Sequence, residues 1–208
     1  MNKKFIRNHW KPIIFSLCIL IFLCIVKMLM QDQIRVFDES IYRIISKLKC
    51  EPVTYFFKFM SFLCSTEFLI IVTVLIMLFS KNKKAAFYIG LNVVLCVLLN
   101  QGFKYIFMRE RPIDINLIIE KGYSFPSGHS MVSLAFYGLF IYLIAHKKMK
   151  KNKKYLYCIS LAILTLLIGI SRIYLGVHYA SDVIAGFALS MAYLIIYILI
   201  VYKKMKKI

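Results

Sequence analysis

Six long apolar runs, each close to the length of a membrane-crossing helix, constrain this chain more than any other feature of its sequence. A helix that crosses the hydrocarbon core of a bilayer needs about 20 mostly apolar residues. The runs occupy roughly Ile13–Met30, Ser61–Ser80, Ala85–Lys104, His129–Ala145, Tyr155–Ile173 and Val183–Tyr202. Because six such helices take up most of the 208 residues, we expect an all-α polytopic membrane protein with a single domain over residues 1–208.

The composition excludes the soluble classes of protein. Hydrophobic residues make up 61% of the chain and charged residues 18%, whereas soluble proteins have roughly 45–50% and 25%. A soluble domain of this size has too little interior to hide so much apolar surface. The net charge of +19 lies in short clusters between apolar runs, which is a topology signal. We therefore expect no nucleic-acid partner and a location in the plasma membrane, among membrane lipids.

The connections between the runs alternate in charge. The N-terminal segment, residues 81–84, residues 146–154 and the C-terminal segment together carry 17 lysines and arginines and no acidic residue. The other connections carry eight of the nine acidic residues. Since basic loops stay on the cytoplasmic side, the pattern predicts cytoplasmic termini and extracytoplasmic polar loops.

The segment Gln31–Val53 predicts an amphipathic surface helix after the first span. Its apolar residues recur at helical spacing and are Ile34, Phe37, Ile41, Ile44, Ile45 and Leu48. Charged residues stand between them, namely Asp38, Glu39, Arg43 and Lys47. Two interpretations remain open: a helix that lies on the outer membrane surface, and a capping helix that packs on the bundle.

The end of the third run carries three cations in Lys104-Tyr-Ile-Phe-Met-Arg109-Glu-Arg111-Pro112. Lys104 and Arg111 are two helical turns apart, so both are expected on one helix face. Pro112 disfavours the helical conformation of the preceding residue and is expected to help end the helix there. For Arg109 we expect the ordinary role of a cation at a membrane interface.

The fourth run opens with Pro126-Ser127-Gly128-His129. Serine is a favoured N-cap, and the free backbone N–H groups of a helix start form an anion site. His129 follows at once and adds a group whose charge is easily adjusted near neutral pH.

His178 and Asp182 lie four residues apart before the sixth run. On one helical turn the carboxylate would hold one imidazole nitrogen and leave the other free as a nucleophile. A His–Asp pair on a helix surface is usually structural, but Asp182 is the only acidic residue after Glu120, and Arg172 is an isolated cation nearby. This sparse cluster favours a functional role.

Together the three segments supply the parts of a phosphoryl-transfer site. Cations and N–H groups would stabilise the charge on the equatorial oxygens of the transition state. One histidine would attack phosphorus, and the other would protonate the departing oxygen. The sequence has no carboxylate cluster to hold Mg²⁺, so we expect no metal and no other cofactor.

The same residues resemble the signature of the type 2 phosphatidic acid phosphatase superfamily of membrane lipid phosphatases. Its three parts, Lys-x6-Arg-Pro, Pro-Ser-Gly-His and Ser-Arg-x5-His-x3-Asp, occur in order and without departure between Lys104 and Asp182. The resemblance implies that His178 is the nucleophile, that Asp182 orients it and that His129 is the acid. The phosphate-binding residues that it implies are Lys104, Arg111, Ser127, Gly128 and Arg172.

The resemblance also implies a reaction and a set of partners. The reaction is metal-independent dephosphorylation of a lipid phosphate or diphosphate through a phosphohistidine intermediate at the extracytoplasmic face. Candidate substrates are undecaprenyl diphosphate, phosphatidylglycerol phosphate and phosphatidic acid, with a slight preference for the first. A lipid phosphotransferase that uses the same phosphoenzyme remains an alternative. A non-enzymatic anion-binding transporter or assembly factor is a weaker one, since it leaves the His178–Asp182 spacing unexplained.

Three further groups of residues receive structural interpretations. Glu67, about six residues into the second run, is expected to be a buried carboxylate with a structural partner. The six cysteines are expected to be small apolar residues, with a Cys50–Cys64 pair as the alternative. Membrane-interface anchors are expected at Tyr123, Tyr174 and Tyr179.

Overall fold

The computed structural model describes the backbone of residues 3–113 and 115–206, and the side chains of residues 10–113 and 115–201. In this part of the chain there are eight α-helices and no strand, so the expected all-α fold is confirmed. The helices are α1 (Lys3–Met30), α2 (Arg35–Ser46), α3 (Glu51–Phe62), α4 (Thr66–Phe79), α5 (Lys83–Phe107), α6 (Gly128–His146), α7 (Lys151–Tyr174) and α8 (Ala180–Lys206).

Five of the described helices are long and apolar enough to cross a membrane. They are α1, α5, α6, α7 and α8. The pair α3 and α4 passes the same test only when taken together, and its two halves are bent by 47°. The six predicted spans are therefore present when this bent pair counts as one.

The second apolar run departs from the single helix that was predicted over Ser61–Ser80. Helix α3 already begins at Glu51 and ends at Phe62, and α4 begins at Thr66. The side chain of Ser65 is the N-cap of α4 and accepts a hydrogen bond from Phe68 N at 3.2 Å. Because a serine cap satisfies an otherwise unpaired N–H group, it favours a new helix start inside an apolar run.

The predicted amphipathic helix is α2, although it covers only part of Gln31–Val53, whose last residues begin α3. On one face Ile41 and Ile45 pack against an apolar cluster at the ends of α7 and α8. On the other face Val36 and Ile44 are exposed. The helix therefore packs on the bundle, as the capping interpretation expected, and still presents an apolar outer face.

Short connections place the signature residues at one end of the bundle. Helices joined by a few residues are antiparallel neighbours, as α4 and α5 are, and α6 and α7. The C-terminal ends of α5 and α7 therefore meet the N-terminal ends of α6 and α8, and we call this the site end. The lysine-rich connections at 81–84 and 146–154 lie at the opposite end. Helix α6 packs against α5, α7 and α8 and forms the centre of the core.

Candidate active site

Lys104 and Arg111 come together by a turn in the chain and not by sharing a helix face. Helix α5 ends at Phe107, and its C-cap Met108 has a left-handed conformation with φ 45°. The expectation that the helix continues to Pro112 is therefore wrong, because a left-handed C-cap ends a helix and redirects the chain. Arg111 then borders the same cavity as Lys104, which lies in the last turn of α5.

The His178–Asp182 pair forms at the start of α8. His178 precedes the helix, which begins at Ala180, so the two residues do not share one helical turn as predicted. Both side chains are nonetheless buried, and His178 Nδ1 lies 3.4 Å from Asp182 Oδ2. The Ser124 hydroxyl donates to the same Oδ2 at 2.5 Å and lies 3.2 Å from Nδ1. Because the Ser124 hydroxyl oxygen and the Asp182 carboxylate can both accept a hydrogen bond from the N–H of Nδ1, the lone pair of the ring lies on Nε2.

The loop that carries His178 depends on a glycine. Gly176 has φ +70°, and a Cβ there would lie 2.3 Å from the carbonyl oxygen of Ile115. Leucine 117 donates its N–H to Leu175 O at 2.8 Å and joins this loop to the α5–α6 connection. The backbone N–H of His178 donates to Arg172 O at 3.3 Å. Backbone hydrogen bonds alone thus fix His178, the candidate nucleophile, to the end of α7.

Arg111 lies within hydrogen-bond distance of Nε2, the other ring nitrogen of His178. Its Nη1 lies 3.2 Å from His178 Nε2 and donates to Val177 O at 2.8 Å. Its Nε donates to Gly122 O at 2.9 Å, and Nη2 donates to Lys121 O at 3.1 Å. These neutral carbonyl oxygens fix the guanidinium in place, and the only carboxylate paired with it among the described residues is that of Glu120, at 4.0 Å.

Arg172 is the second cation of the site and is almost fully buried. Its guanidinium donates to the Ser61 hydroxyl and to a carboxylate oxygen of Glu120. The other oxygen of Glu120 lies 4.0 Å from Arg111 Nη2. Burial acts to raise the pKa of Glu120, but the charge and hydrogen bond of Arg172 outweigh it and hold that pKa below its usual value. An ionised carboxylate therefore lies between the two arginines.

The surroundings keep the imidazole of His178 neutral at physiological pH. Burial lowers the pKa of His178 to about 4, and the cations of Arg111 and Arg172 add to this effect. The hydrogen bond and charge of Asp182 act in the opposite direction but do not compensate. A neutral imidazole whose Nδ1 is held and whose lone pair is on Nε2 is the form that acts as a nucleophile.

Two cavities meet at His129. An apolar cavity of about 690 Å³ lies between α4 and α5 and reaches Lys104, Arg111, Gly128 and His129. A smaller cavity of about 450 Å³ is lined by Ser61, Glu120, Arg172 and His129, among others. His129, the second histidine of the signature, thus shares one cavity with Arg111 and the other with Arg172, which we call the clamp arginines.

Ser127 is engaged in the fold. It is the predicted N-cap of α6, is fully buried, and accepts hydrogen bonds from Ser130 Oγ at 3.0 Å and Ser130 N at 3.4 Å. It lines neither cavity, whereas the adjacent Gly128 lines the apolar one. A contact between Ser127 and phosphate therefore stays a prediction.

Arg109 is not an interfacial cation, and that prediction is wrong. Its side chain is 13% exposed and forms ion pairs with Asp38 at 2.8 Å and Asp182 at 2.6 Å. Three further residues, which the sequence did not assign to the site, contact its members. Asp38 binds Arg109, Ser124 binds Asp182, and Glu120 binds Arg172. For Asp38 a signal was available, because it lies on the same helix face as Ile34 and Ile41, where a lone carboxylate needs a buried partner.

Other expectations are corrected in the same region. Glu67 is exposed in the first turn of α4 because the helix restarts just before it. Tyr174 is fully buried and its hydroxyl lies 2.9 Å from Thr54 Oγ1, and the ring of Tyr179 stacks on Arg109, so neither is a simple interface anchor. All six cysteines are free, and Cys24 and Cys50 are exposed. The described residues contain no group of three potential metal ligands.

Comparisons with known proteins point to one family. The model of the PAP2 superfamily matches residues 84–206, which is more than half of the chain. Phosphatidylglycerophosphatase B of Bacillus subtilis (strain 168) is 43% identical over 96 residues, which cover 45% of this chain and 47% of that protein. An undecaprenyl-diphosphatase of Sulfolobus acidocaldarius is 28% identical over 124 residues, which cover 57% and 56%. The chain spans about half the length of the curated relatives it matches.

Two solved structures resemble this fold. The crystal structure of a transmembrane PAP2-type phosphatidylglycerolphosphate phosphatase from Bacillus subtilis has a TM-score of 0.82 at 27% identity, over 91% of this chain and 96% of that one. The crystal structure of Aquifex aeolicus LpxE has a TM-score of 0.62 at 25% identity, over 77% and 93%.

Proposed function

The chain belongs to the PAP2 superfamily, and from that premise we propose that it is a metal-independent phosphatase of membrane lipid phosphates or diphosphates. The observation that carries the proposal is the environment of His178. Its Nδ1 is held by Ser124 and Asp182, and its Nε2 lies 3.2 Å from the Arg111 guanidinium. A neutral imidazole that is oriented by a carboxylate and faces a cation is arranged to attack an anionic phosphoryl group.

The first half-reaction forms a phosphohistidine. Arg111, Arg172 and Lys104 bind the phosphate oxygens, and Nε2 of His178 attacks phosphorus. The bond breaks between phosphorus and the leaving oxygen, which stays on the lipid alcohol for a monophosphate or on the lipid phosphate for a diphosphate, and His129 donates a proton to that oxygen. Asp182 stabilises the positive charge that develops on the imidazole ring.

The second half-reaction restores the enzyme. His129, which gave its proton to the leaving oxygen, accepts a proton from a water molecule, and the oxygen of that water attacks phosphorus. The bond between phosphorus and Nε2 of His178 breaks, which releases inorganic phosphate. The cations stabilise both transition states, because the charge on the equatorial oxygens is similar in each.

The cavity between α4 and α5 supports a lipid substrate. It is lined mostly by apolar residues and ends at Lys104, Arg111 and His129. A phosphate bound at that end would leave its acyl or prenyl tail in the apolar part, at membrane depth. The names of the curated relatives make phosphatidylglycerol phosphate and undecaprenyl diphosphate the first candidates to test, with phosphatidic acid as the third.

The location that we propose is the plasma membrane, with an extracytoplasmic active site and cytoplasmic termini. The lysine-rich connections lie at the end of the bundle opposite the site, and such connections stay on the cytoplasmic side. The eight acidic residues outside the apolar runs all lie in connections of the site end or at their edges.

A phosphate-release assay on the purified protein tests this function. The three candidate lipids are supplied in detergent micelles with a chelator present, and wild type is compared with His178→Ala and with the matched control His146→Ala at the opposite end. We expect His178→Ala to lose roughly 10⁴-fold or more of kcat and His146→Ala to retain activity. Full activity of His178→Ala would refute the mechanism. Mass spectrometry with a lipid alcohol added separates hydrolysis from phosphotransfer.

A further inference from the structure

A chain of charged side chains runs from α2 to the back of His178. Asp38 Oδ2 accepts a hydrogen bond from Arg109 Nη2 at 2.8 Å, and Arg109 Nη1 donates to Asp182 Oδ1 at 2.6 Å. The other carboxylate oxygen of Asp182 lies 3.4 Å from His178 Nδ1. Asp38 also accepts from the N–H and hydroxyl of Ser181, at 2.8 and 2.7 Å, which ties α2 to the first turn of α8.

The three charged groups are buried and satisfy one another. The exposed fractions of the side chains are 2% for Asp38, 13% for Arg109 and 0% for Asp182. Removing charges from water is costly unless they are paired and hydrogen-bonded. Both terminal nitrogens of Arg109 are used in this way, and the Tyr179 ring covers its Cζ at 3.9 Å. Its two terminal nitrogens and its Cζ are thus taken up by protein groups, so the contacts of Arg109 are with the protein.

The arrangement suits a nucleophile that becomes positively charged. Attack by Nε2 on phosphorus leaves a cationic ring, and the negative charge of Asp182 stabilises it. An arginine paired with Asp182 alone would neutralise much of that charge. Asp38 offsets this effect, because it pairs with the same guanidinium and leaves the group of three with a net charge of −1. Arg109 fixes the orientation of Asp182, and Asp38 preserves its charge.

We infer that Arg109 and Asp38 are positioning residues for the nucleophile, which act through Asp182 and do not touch the substrate. The inference rests on the proposed function, since it assigns these residues to the reaction of His178. It also gives α2 a role in the site, because the helix supplies the carboxylate at the far end of the chain.

Kinetics of the full-length protein test the inference. Arg109→Gln and Asp38→Asn are assayed with whichever of the three lipids wild type hydrolyses fastest. Because the residues act through Asp182, we expect Arg109→Gln to lower kcat roughly 10- to 100-fold, as loss of a group that orients a reacting residue does, with little change in KM. Asp38→Asn is expected to lower kcat by less. Arg109→Lys is expected to retain part of the lost rate.

A rescue experiment separates positioning from a structural role. In Arg109→Ala, added guanidinium ion can occupy the space between the two carboxylates, so we expect it to raise kcat at concentrations that leave wild type unchanged. The matched controls are Arg35→Gln and Glu39→Gln, an exposed pair on α2 joined at 2.7 Å, which are expected to keep wild-type kcat.

Two outcomes overturn the inference. One is a wild-type kcat in Arg109→Gln, and the other is a loss of kcat in Arg109→Ala that guanidinium does not restore and that a lower thermal unfolding temperature accompanies. In both, an inactive His178→Ala leaves the proposed function intact. An active His178→Ala refutes the proposed function itself, whatever the Arg109 variants do.

Discussion

Arg109 and Arg111 lie two residues apart in one connection and have opposite surroundings. Arg109 forms ion pairs with two buried carboxylates at 2.8 and 2.6 Å and is stacked on Tyr179. Arg111 is held mainly by backbone carbonyl oxygens, and the nearest carboxylate, Glu120, is 4.0 Å away. The guanidinium of Arg109 is linked to Nδ1 of His178 through Asp182, whereas that of Arg111 lies beside Nε2.

The different partners of the two guanidiniums suit them to different contributions. A guanidinium whose charge is neutralised by carboxylates orients its partners but attracts no further anion. A guanidinium that is fixed by neutral carbonyl oxygens keeps its charge for a ligand and its geometry for bidentate contacts. In the proposed mechanism the positions of the acidic residues, and not the identity of the basic ones, separate a positioning arginine from a phosphate-binding one.

The largest loss of activity among the substitutions that test this comparison is expected at Arg111. Arg111→Gln removes a cation that would bind the equatorial oxygens of the transition state, and we expect kcat/KM to fall on the order of 10²- to 10³-fold. The measurement is phosphate release over a range of lipid concentrations. Arg111→Lys is the control that keeps the charge without the planar fork, and it is expected to lose less. An Arg111→Gln enzyme with an unchanged KM and only the kcat loss of Arg109→Gln would show that the two arginines do not differ in role.

The next effect is a shift in the pH profile. In the proposed mechanism His178 attacks as a neutral imidazole, so we expect activity to fall as pH drops through its pKa, which burial and the nearby cations lower to about 4. Arg111→Gln removes a cation 3.2 Å from Nε2, so the pKa of His178 rises and the acid limb of kcat/KM moves to higher pH. Asp182→Asn removes an anion and moves that limb to lower pH. Each profile is measured with the same lipid, so that the ionisation of the substrate is common to all. Shifts of the same sign in both variants would contradict this account.

The smallest effect is expected at Glu120, whose carboxylate lies between the two clamp arginines. An anionic phosphoryl group that binds there meets a like charge, and Glu120→Gln removes it. We expect KM to fall about fivefold, which corresponds to roughly 1 kcal/mol, while the loss of a partner for buried Arg172 lowers the thermal unfolding temperature. The exposed Glu110→Gln in the same connection is the matched control. A raised KM in Glu120→Gln would indicate that the carboxylate assists binding.

The sequence predicted the fold well where local rules decide it. Runs of apolar residues placed both ends of α5, α6, α7 and α8 and the C-terminal end of α1 within a few residues, because a bilayer demands long apolar helices. The start of α1 lies ten residues before the predicted one. The prediction was wrong over Ser61–Ser80, because Ser65 caps a new helix inside this apolar run and hydropathy alone does not reveal such a cap.

The site was predicted in part, and partly for the wrong reason. Lys104 and Arg111 do border one cavity, but a left-handed turn at Met108 brings them together, and not the helical spacing. Ser124 and Glu120 had no local signal, because their partners are 58 and 52 residues away in the chain. The prediction for Arg109 was wrong because membrane-interface statistics ignore what a loop packs against.

From the sequence alone followed the apolar, membrane-spanning character of five helices, the residues of the three-part signature and the closeness of His178 to Asp182, since each depends on neighbours a few residues apart. The packing of distant segments sets which arginine is paired closely with two carboxylates, as Arg109 is, and which is held mainly by carbonyl oxygens, as Arg111 is. The physical reason is that the energy of a buried charge depends on the groups around it, and Asp38, 71 residues from Arg109, becomes its neighbour only when α2 packs on α8.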